Sequence, residues 1–388
     1  MKKIKLLKNL SFISVLTLLL NACGTFFDKD NTPPPAPLVD FISEAKVHSM
    51  WYTSAGAGSN SDYLKLTPSA SETAIFTSSK NGVVAANDAK TGKSLWQTNT
   101  GGDISSGTAT YAGLVYAGSR EGDVYALDQN NGKIVWKAKS SSEVLAPVAI
   151  SDNIVLVKTI DGHVRAFSTL DGHELWKYQQ PEPNLILRGS SAPQITRESA
   201  VVGFENGNLV KLTLHGGRVQ WQRSIAEPQG IFAIQRMIDI DADPIIQGNR
   251  VYAATYQGRI AALNVSSGNE LWSHDISSYS GMASDDNSVY VSDADSHVFA
   301  FNANGGTVRW QQPKLYARTI TGPVLIDNYV VVGDAEGYLH WMSKIDGRFV
   351  ARVRVNKSGI AATPIVSNHV LYAYSKDGHL AAYTVSSR

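Results

Sequence analysis

A fifteen-residue pattern recurs along the chain at intervals near forty, and this periodicity limits the fold more than any single motif does. The clearest copy is GDVYALDQNNGKIVW, Gly122 to Trp136, with an alternating stretch around Val124 and Ala126, an Asn130-Asn131-Gly132 turn and a second stretch closed by tryptophan. Alternation on both sides of a glycine-bearing turn reads as a β-hairpin. Further copies end at Trp96, Trp176, Trp221, Trp272 and Trp310, and two degenerate ones begin at Gly337 and Gly378. Their first residues fall at 82, 122, 162, 207, 258, 296, 337 and 378, giving intervals of 40, 40, 45, 51, 38, 41 and 41. Units that each lack a core of their own stack into one body, so the 388 residues read as a single repeat domain rather than two or three domains.

Each unit supplies four strands. In the second unit they are Thr108 to Tyr111, Leu114 to Ser119, Asp123 to Leu127 and Lys133 to Lys137. Small residues and a proline (Pro147, Pro193, Pro244, Pro323, Pro364) mark the first strand of five units, as suits the crowded strand nearest an axis. The expected fold is all-β: an eight-bladed β-propeller of four-stranded antiparallel blades, in which radial repetition leaves only short edges exposed. The last copy runs out soon after Tyr383, one strand short, whereas Val47 to Tyr52 carries a spare tryptophan, Trp51, ahead of the first unit. The ring is therefore expected to close by pairing this N-terminal strand with the last blade. The repeat tryptophans are expected to dock between blades, each burying on the order of 200 Å² with a partner for its N–H. Trp341 lies off the repeat position and is the one indole available as a stacking platform at the axis.

The start of the chain reads as a removable leader. Lys2, Lys3, Lys5 and Lys8 precede an apolar run, Leu10 to Leu20, too short for a comfortable membrane span, and Leu20-Asn21-Ala22-Cys23 follows. This resembles a bacterial lipoprotein signal, which implies lipidation of Cys23, the only cysteine; Gly24 after it favours the outer membrane over the inner one. Acyl chains anchor stably, at about 0.8 kcal/mol per buried methylene. Pro33, Pro34, Pro35 and Pro37 then make a stiff, extended tether, reaching roughly 60 Å at about 3.1 Å per residue. The expected organisation is a signal peptide over 1–22, a lipidated proline-rich tether over 23–44 and the propeller over 45–388.

Charge and motif content exclude several functions. There are 35 basic and 34 acidic residues, and loss of the four leader lysines takes the net charge from +1 to about −3, so nucleic acid is not an expected partner. His163, His297 and His379 occupy one slot in three different units, so the repeat spreads them around the ring instead of converging them on one metal. Asp171-Gly172, Asp346-Gly347 and Asp377-Gly378 are turn dipeptides. No nucleophile, base and orienting acid share a motif, and no glycine-rich phosphate loop precedes a helix. No catalytic residue, metal or cofactor is expected.

The repeat A-[LFN]-[DN]-x-x-x-G-x-x-x-W, seen from Ala126 to Trp136 and from Ala262 to Trp272, resembles that of pyrroloquinoline-quinone-type propellers. That superfamily includes quinoprotein dehydrogenases and the non-enzymatic BamB lipoproteins of the outer-membrane β-barrel assembly machinery. A quinoprotein needs axial calcium ligands and a catalytic base, and often a disulfide between neighbouring cysteines, which one cysteine cannot form. A periplasmic quinone-dependent dehydrogenase or a sugar-binding propeller is the alternative reading.

Where the repeat lengthens to 45 and 51 residues, two insertions appear: Pro183 to Gly189 (PNLILRG) and Ile231 to Asp243 (IFAIQRMIDIDAD). Insertions in repeat proteins map to loops that often bind. Leucines beside an arginine, next to paired aspartates, have the makeup of a protein contact, apolar anchors with a charged rim. The competing reading tucks Leu185 and Leu187 under their own blade and pairs Arg188 with Asp239 or Asp241. The L-x-L-R-G and D-x-D segments also resemble those through which BamB lipoproteins dock on the POTRA repeats of BamA. The resemblance spans essentially the whole chain and implies partner binding by Leu185, Leu187, Arg188, Asp239 and Asp241. It also implies the rest of the assembly complex as partners, unfolded outer-membrane proteins as clients, and membrane contact through the lipid anchor only. Blade edges could receive client strands by β-augmentation.

Overall fold

The computed structural model describes residues 32–60, 62–181, 183 and 185–387. Cys23 and the leader lie outside the described residues. From Ala36 onward the chain forms eight four-stranded sheets, each an antiparallel meander, arranged as the blades of a propeller. Blade 2 is representative, with an inner strand Ala109–Tyr111, then Leu114–Gly118 and Asp123–Asp128, and an outer strand Ile134–Lys139. The second and third strands are buried on both faces between neighbouring blades, which is why they read as apolar runs such as Ile154 to Val157. Outer strands alternate, with the tryptophan inward and Leu95, Val135, Leu175 and Leu271 exposed beside it. Among the described residues the only helical element is a 3-10 turn, Ala233–Arg236.

Each position of the repeat motif has a physical task. The Asp or Asn caps the turn: Asp128 Oδ1 accepts the Asn130 and Asn131 amides at 2.8 and 3.1 Å. The tryptophan reaches across to the next blade, where Trp96 Nε1 donates to the Gln129 carbonyl at 2.8 Å and Trp136 Nε1 to that of Thr169 at 2.8 Å. Trp176, Trp221, Trp272 and Trp310 repeat the bond. The motif glycine lies on the preceding blade's indole: Gly132 has φ 71°, and a Cβ there would come within 2.5 Å of the Trp96 ring. Only glycine meets both demands, a left-handed backbone and direct contact with the ring.

Closure follows the expected route. The N-terminal strand Ala45–Ser54 pairs with His379–Ser387, from Ala45 opposite Ser387 to Ser54 opposite His379. Trp51 Nε1 donates to the Ala89 carbonyl at 3.1 Å, and its ring lies against Gly92. The spare tryptophan thus does for blade 8 what the repeat tryptophans do elsewhere.

The seam between blades 7 and 8 is different. Ala351 stands where the tryptophan would, opposite Trp341 in the register. The outer strand of blade 8 comes from the far end of the chain, so no hairpin turn offers a glycine and a carbonyl to an indole there. Trp341 fills the seam from one strand further in, 1 % exposed, with its ring 6.3 Å from that of Tyr383. It does not reach the axis and offers no stacking platform.

Residues 36–44, read from sequence as part of a free-standing tether, are bound along blade 7. The Ala36 amide donates to the Tyr316 carbonyl at 2.9 Å, and Arg318 and Arg352 donate to the Ala36 and Val39 carbonyls at 2.8 and 3.1 Å. Phe41 packs on Phe349, and Glu44 pairs with Arg348 at 2.6 Å. Proline-rich composition sets an extended backbone, but Val39 and Phe41 give it an apolar side to bury.

Candidate functional site

In a four-stranded meander the outer-to-inner connections and the second-to-third turns emerge on the same face, so both long insertions open onto one face of the ring. There they surround the mouth of the hub. The hub holds a cavity of about 180 Å³, bordered by Lys65, Pro147, Asp241, Asp243 and Pro364. Above it, a mouth of about 320 Å³ is walled by Tyr63, Tyr256 and Tyr279, with Leu187 and Arg188 from the first insertion. Lys65 lies between the two and donates to the Tyr279 carbonyl.

The second insertion is the bed on which the first lies. Ile238, Ile240 and Ala242 pack into the blades, and the intervening aspartates face the L-x-L-R-G segment. Asp239 accepts the Leu187 amide. Asp241 presses against Gly189, where a Cβ would fall 2.5 Å from the carboxyl carbon, so this glycine is required by close approach. Asp243 accepts the Ala192 amide at 2.7 Å. Asp239 and Asp241 are 0 and 3 % exposed, so neither presents its carboxylate to solvent; both shape the L-x-L-R-G loop from behind.

Arg188 takes neither of the partners suggested by sequence. Its guanidinium bonds Glu143 Oε1 at 2.7 Å, in the connection between blades 2 and 3, and the side chain stays 43 % exposed. Leu185 is exposed and Leu187 half-buried at the rim of the mouth, so neither is tucked fully under its own blade.

Beneath the loop lies a buried ion pair, Lys158 Nζ to Glu205 Oε1 at 2.8 Å, with both side chains fully enclosed. Among the described residues, Glu205 Oε2, Asp239 Oδ1 and Asp241 Oδ1 have no hydrogen-bond partner. Burial, reinforced by the Asp241 charge, pushes Asp239 up to about 7. Burial likewise takes Asp241 to about 7, with Lys65 pulling the other way. Burial pushes the Lys65 amine down, against the pull of Asp241 and Asp243. Carboxyls, cations and loop backbone therefore form one coupled unit.

Sequence reasoning passed over the exposed half of the second insertion. Ile231, Phe232 and Ile234 are 90, 66 and 61 % exposed. Gln235 Oε1 accepts the Ile231 and Phe232 amides, both at 3.1 Å, and fixes the turn that presents them. The available signal was a dense apolar run directly after Pro228-Gln229-Gly230, a turn sequence rather than a strand context. The slot histidines do remain apart, each beside an aspartate of its own turn: His297 hydrogen-bonds Asp293, and His163 Nδ1 and His379 Nδ1 lie 3.0 and 3.2 Å from Asp161 and Asp377.

Comparison with known proteins identifies the family. The family model described as outer membrane protein assembly factor BamB matches residues 80–312 and 294–387. The outer membrane protein assembly factor BamB of Pseudomonas aeruginosa is 45 % identical over 372 residues, covering 96 % of this chain and 98 % of that protein. The crystal structure of BamB from Moraxella catarrhalis superposes with a TM-score of 0.80 at 26 % identity, covering 87 % of this chain and all of that one. A quinohemoprotein alcohol dehydrogenase from Pseudomonas putida superposes with a TM-score of 0.71 at 13 % identity, covering 87 % of this chain and 76 % of that one, a likeness of fold alone. Loops, repeat and full-length similarity converge: the chain belongs to the family of the outer membrane protein assembly factor BamB.

Proposed function

We propose that this protein is a non-enzymatic scaffold of the outer-membrane β-barrel assembly machinery, docking on the POTRA repeats of BamA and assisting insertion of outer-membrane proteins. The observation that carries the reading is the L-x-L-R-G loop, held at the hub mouth by a buried aspartate bed. It offers the Leu185 side chain and part of the Arg188 guanidinium outward. An apolar anchor beside a half-free guanidinium fits a partner surface that pairs an apolar pocket with a carboxylate. In this role Leu185, Leu187 and Arg188 touch the partner, and Asp239 and Asp241 set the loop conformation. The exposed Ile231, Phe232 and Ile234 turn on the same face widens the contact.

Arg188→Glu tests this. The charge reversal is expected to cut co-purification with the barrel protein at least about tenfold, the equivalent of about 1.4 kcal/mol, while the melting temperature stays near wild type. Full retention of the complex would count against the site.

The lipid anchor at Cys23 places the protein on the periplasmic face of the outer membrane. Cys23→Ser is expected to move it from the membrane pellet to the soluble periplasmic fraction, and a mutant still sedimenting with membrane would contradict the anchor.

A further inference from the structure

The turn between the second and third strands keeps its glycine in seven blades, and blade 6 is the exception. Blades 3 and 8 carry Thr159-Ile160-Asp161-Gly162-His163 and Ser375-Lys376-Asp377-Gly378-His379, a hydroxyl, an aspartate and a histidine. In both, the hydroxyl bonds its aspartate, at 2.6 Å each, and the histidine pairs with the same aspartate. Blade 6 reads Asp293-Ala294-Asp295-Ser296-His297. A carboxylate replaces the hydroxyl, and Ser296 replaces glycine at a backbone position that remains left-handed, φ 71°. The serine keeps the tight turn at the steric cost that glycine avoids elsewhere.

The result is three metal-ligating groups in five residues. One carboxylate oxygen each from Asp293 and Asp295 and a ring nitrogen of His297 all lie within 4.8 Å of one another. Asp293 Oδ2 and His297 Nδ1 are 2.8 Å apart, a separation that two metal bonds of about 2.0–2.1 Å span at close to a right angle. Asp293 is held in place, because its Oδ1 accepts the His297 amide at 2.6 Å. The imidazole is wedged between Tyr316, stacked at 5.9 Å, and Phe299, edge-on at 6.4 Å.

Charge balance separates this turn from its neighbour. The equivalent Asp334 in blade 7 is neutralised by Arg318 at 2.8 Å and bonded by His340 at 2.8 Å. Among the described residues no lysine or arginine forms an ion pair with Asp293 or Asp295, although the Asp293 side chain is only 12 % exposed. Two carboxylates and an imidazole without a compensating basic side chain are a donor set for a divalent cation. The imidazole selects a first-row transition ion over calcium or magnesium.

We propose that Asp293, Asp295 and His297 form a binding site for one divalent transition-metal ion such as zinc, on the same face of the propeller as the docking loops. When the ion enters it replaces the hydrogen between Asp293 Oδ2 and His297 Nδ1: the proton on Nδ1 is given up while Nε2 carries the ring's N–H, so that a neutral imidazole and the Asp293 and Asp295 carboxylates coordinate, with water in the open positions. The ion pins a turn that is already tied to the chain entering the propeller: Asp295 accepts the Ala317 amide at 3.0 Å, and the Tyr316 carbonyl accepts that of Ala36 at 2.9 Å.

The test titrates zinc chloride, and calcium chloride in parallel, into the full mature chain after chelation and dialysis, with calorimetry and a melting curve as readouts. The wild type is expected to bind one zinc equivalent that His297→Gln and Asp295→Asn each weaken at least roughly tenfold, the scale reached when even outer-shell partners are lost. His379→Gln, in a two-ligand turn, leaves that equivalent unchanged. Zinc is expected to raise the melting temperature of the wild type and not of His297→Gln, whose metal-free melting temperature matches wild type. Zinc stoichiometry and affinity unaltered in His297→Gln, or calcium binding as tightly as zinc, would overturn the proposal.

Discussion

Deleting residues 45–53 is expected to abolish the cooperative melt of the propeller or to lower its midpoint by many degrees. The deletion removes the outer strand of blade 8, whose pairing runs from Ala45 to Ser54 against the last strand, and the only indole that bridges blade 8 to blade 1. Loss of a buried tryptophan alone costs about 3–5 kcal/mol, and Trp51, partly exposed, belongs at the low end. The missing backbone pairs add to this. The seam with blade 7 suffers as well, since Ala45 and Val47 pack in the same cluster as Trp341 and Val350. What remains exposes the bare edge of His379–Ser387, a template for pairing with another chain, so self-association should accompany the lost stability. Circular dichroism melts and size-exclusion chromatography check both effects. An unchanged midpoint in a monomeric deletion mutant would mean that the ring does not depend on its closing strand.

Lys158→Met is the second large effect. It leaves Glu205 fully buried without its cation, beside Asp239 and Asp241 in the bed that supports the L-x-L-R-G loop. Breaking a buried pair from one side costs about 3–5 kcal/mol, whereas replacing both partners with neutral residues is often tolerated. Lys158→Met should therefore lower the urea midpoint strongly, and Lys158→Met with Glu205→Gln should recover most of the loss. Equal instability of the single and double mutants would show that the lysine matters through its packing on Phe204 rather than through its charge.

The deficit should also depend on pH, with a definite sign. Asp239 and Asp241 ionise in the folded protein near 7, above their unfolded value of about 3.9. Their contribution to stability is thus complete below about 4 and is lost as pH rises through 7. Lys158 holds the pKa of both carboxyls down, so its removal should extend the fall of the urea midpoint to higher pH.

The fold was legible because every position of the repeat carries a distinct duty. Aspartate or asparagine caps the turn, glycine approaches an indole, and tryptophan reaches the next blade, so the copies could be aligned and counted. Closure was legible from a mismatch, the final unit lacking a tryptophan strand and Trp51 standing ahead of the first. The two insertions showed themselves as departures from a length near forty. Burial within them did not. In sequence Asp239 and Asp241 look like solvated loop carboxylates, because nothing local announces that the next insertion folds back beneath its neighbour's backbone. Ile231, Phe232 and Ile234 were passed over, since an apolar run gives no sign of exposure until a side-chain lock such as Gln235 is seen to hold it outward. Residues 36–44 combined both problems, their prolines reporting backbone stiffness and hiding that Val39 and Phe41 had a blade to cover.

Joining the beginning of the propeller to its end has a consequence in time. Ala45 meets Ser387 across almost the whole length of the chain, so the first strand to be synthesised and exported stays unpaired until the last hairpin arrives. Such sequence-distant pairing forms late and leaves an open edge vulnerable to proteases and to wrong partners in the interval. A nascent chain stalled before residue 379 has seven assembled blades at most and nothing to receive its own first strand, which makes completion of the nine-residue strand His379–Ser387 the commitment point for the native ring.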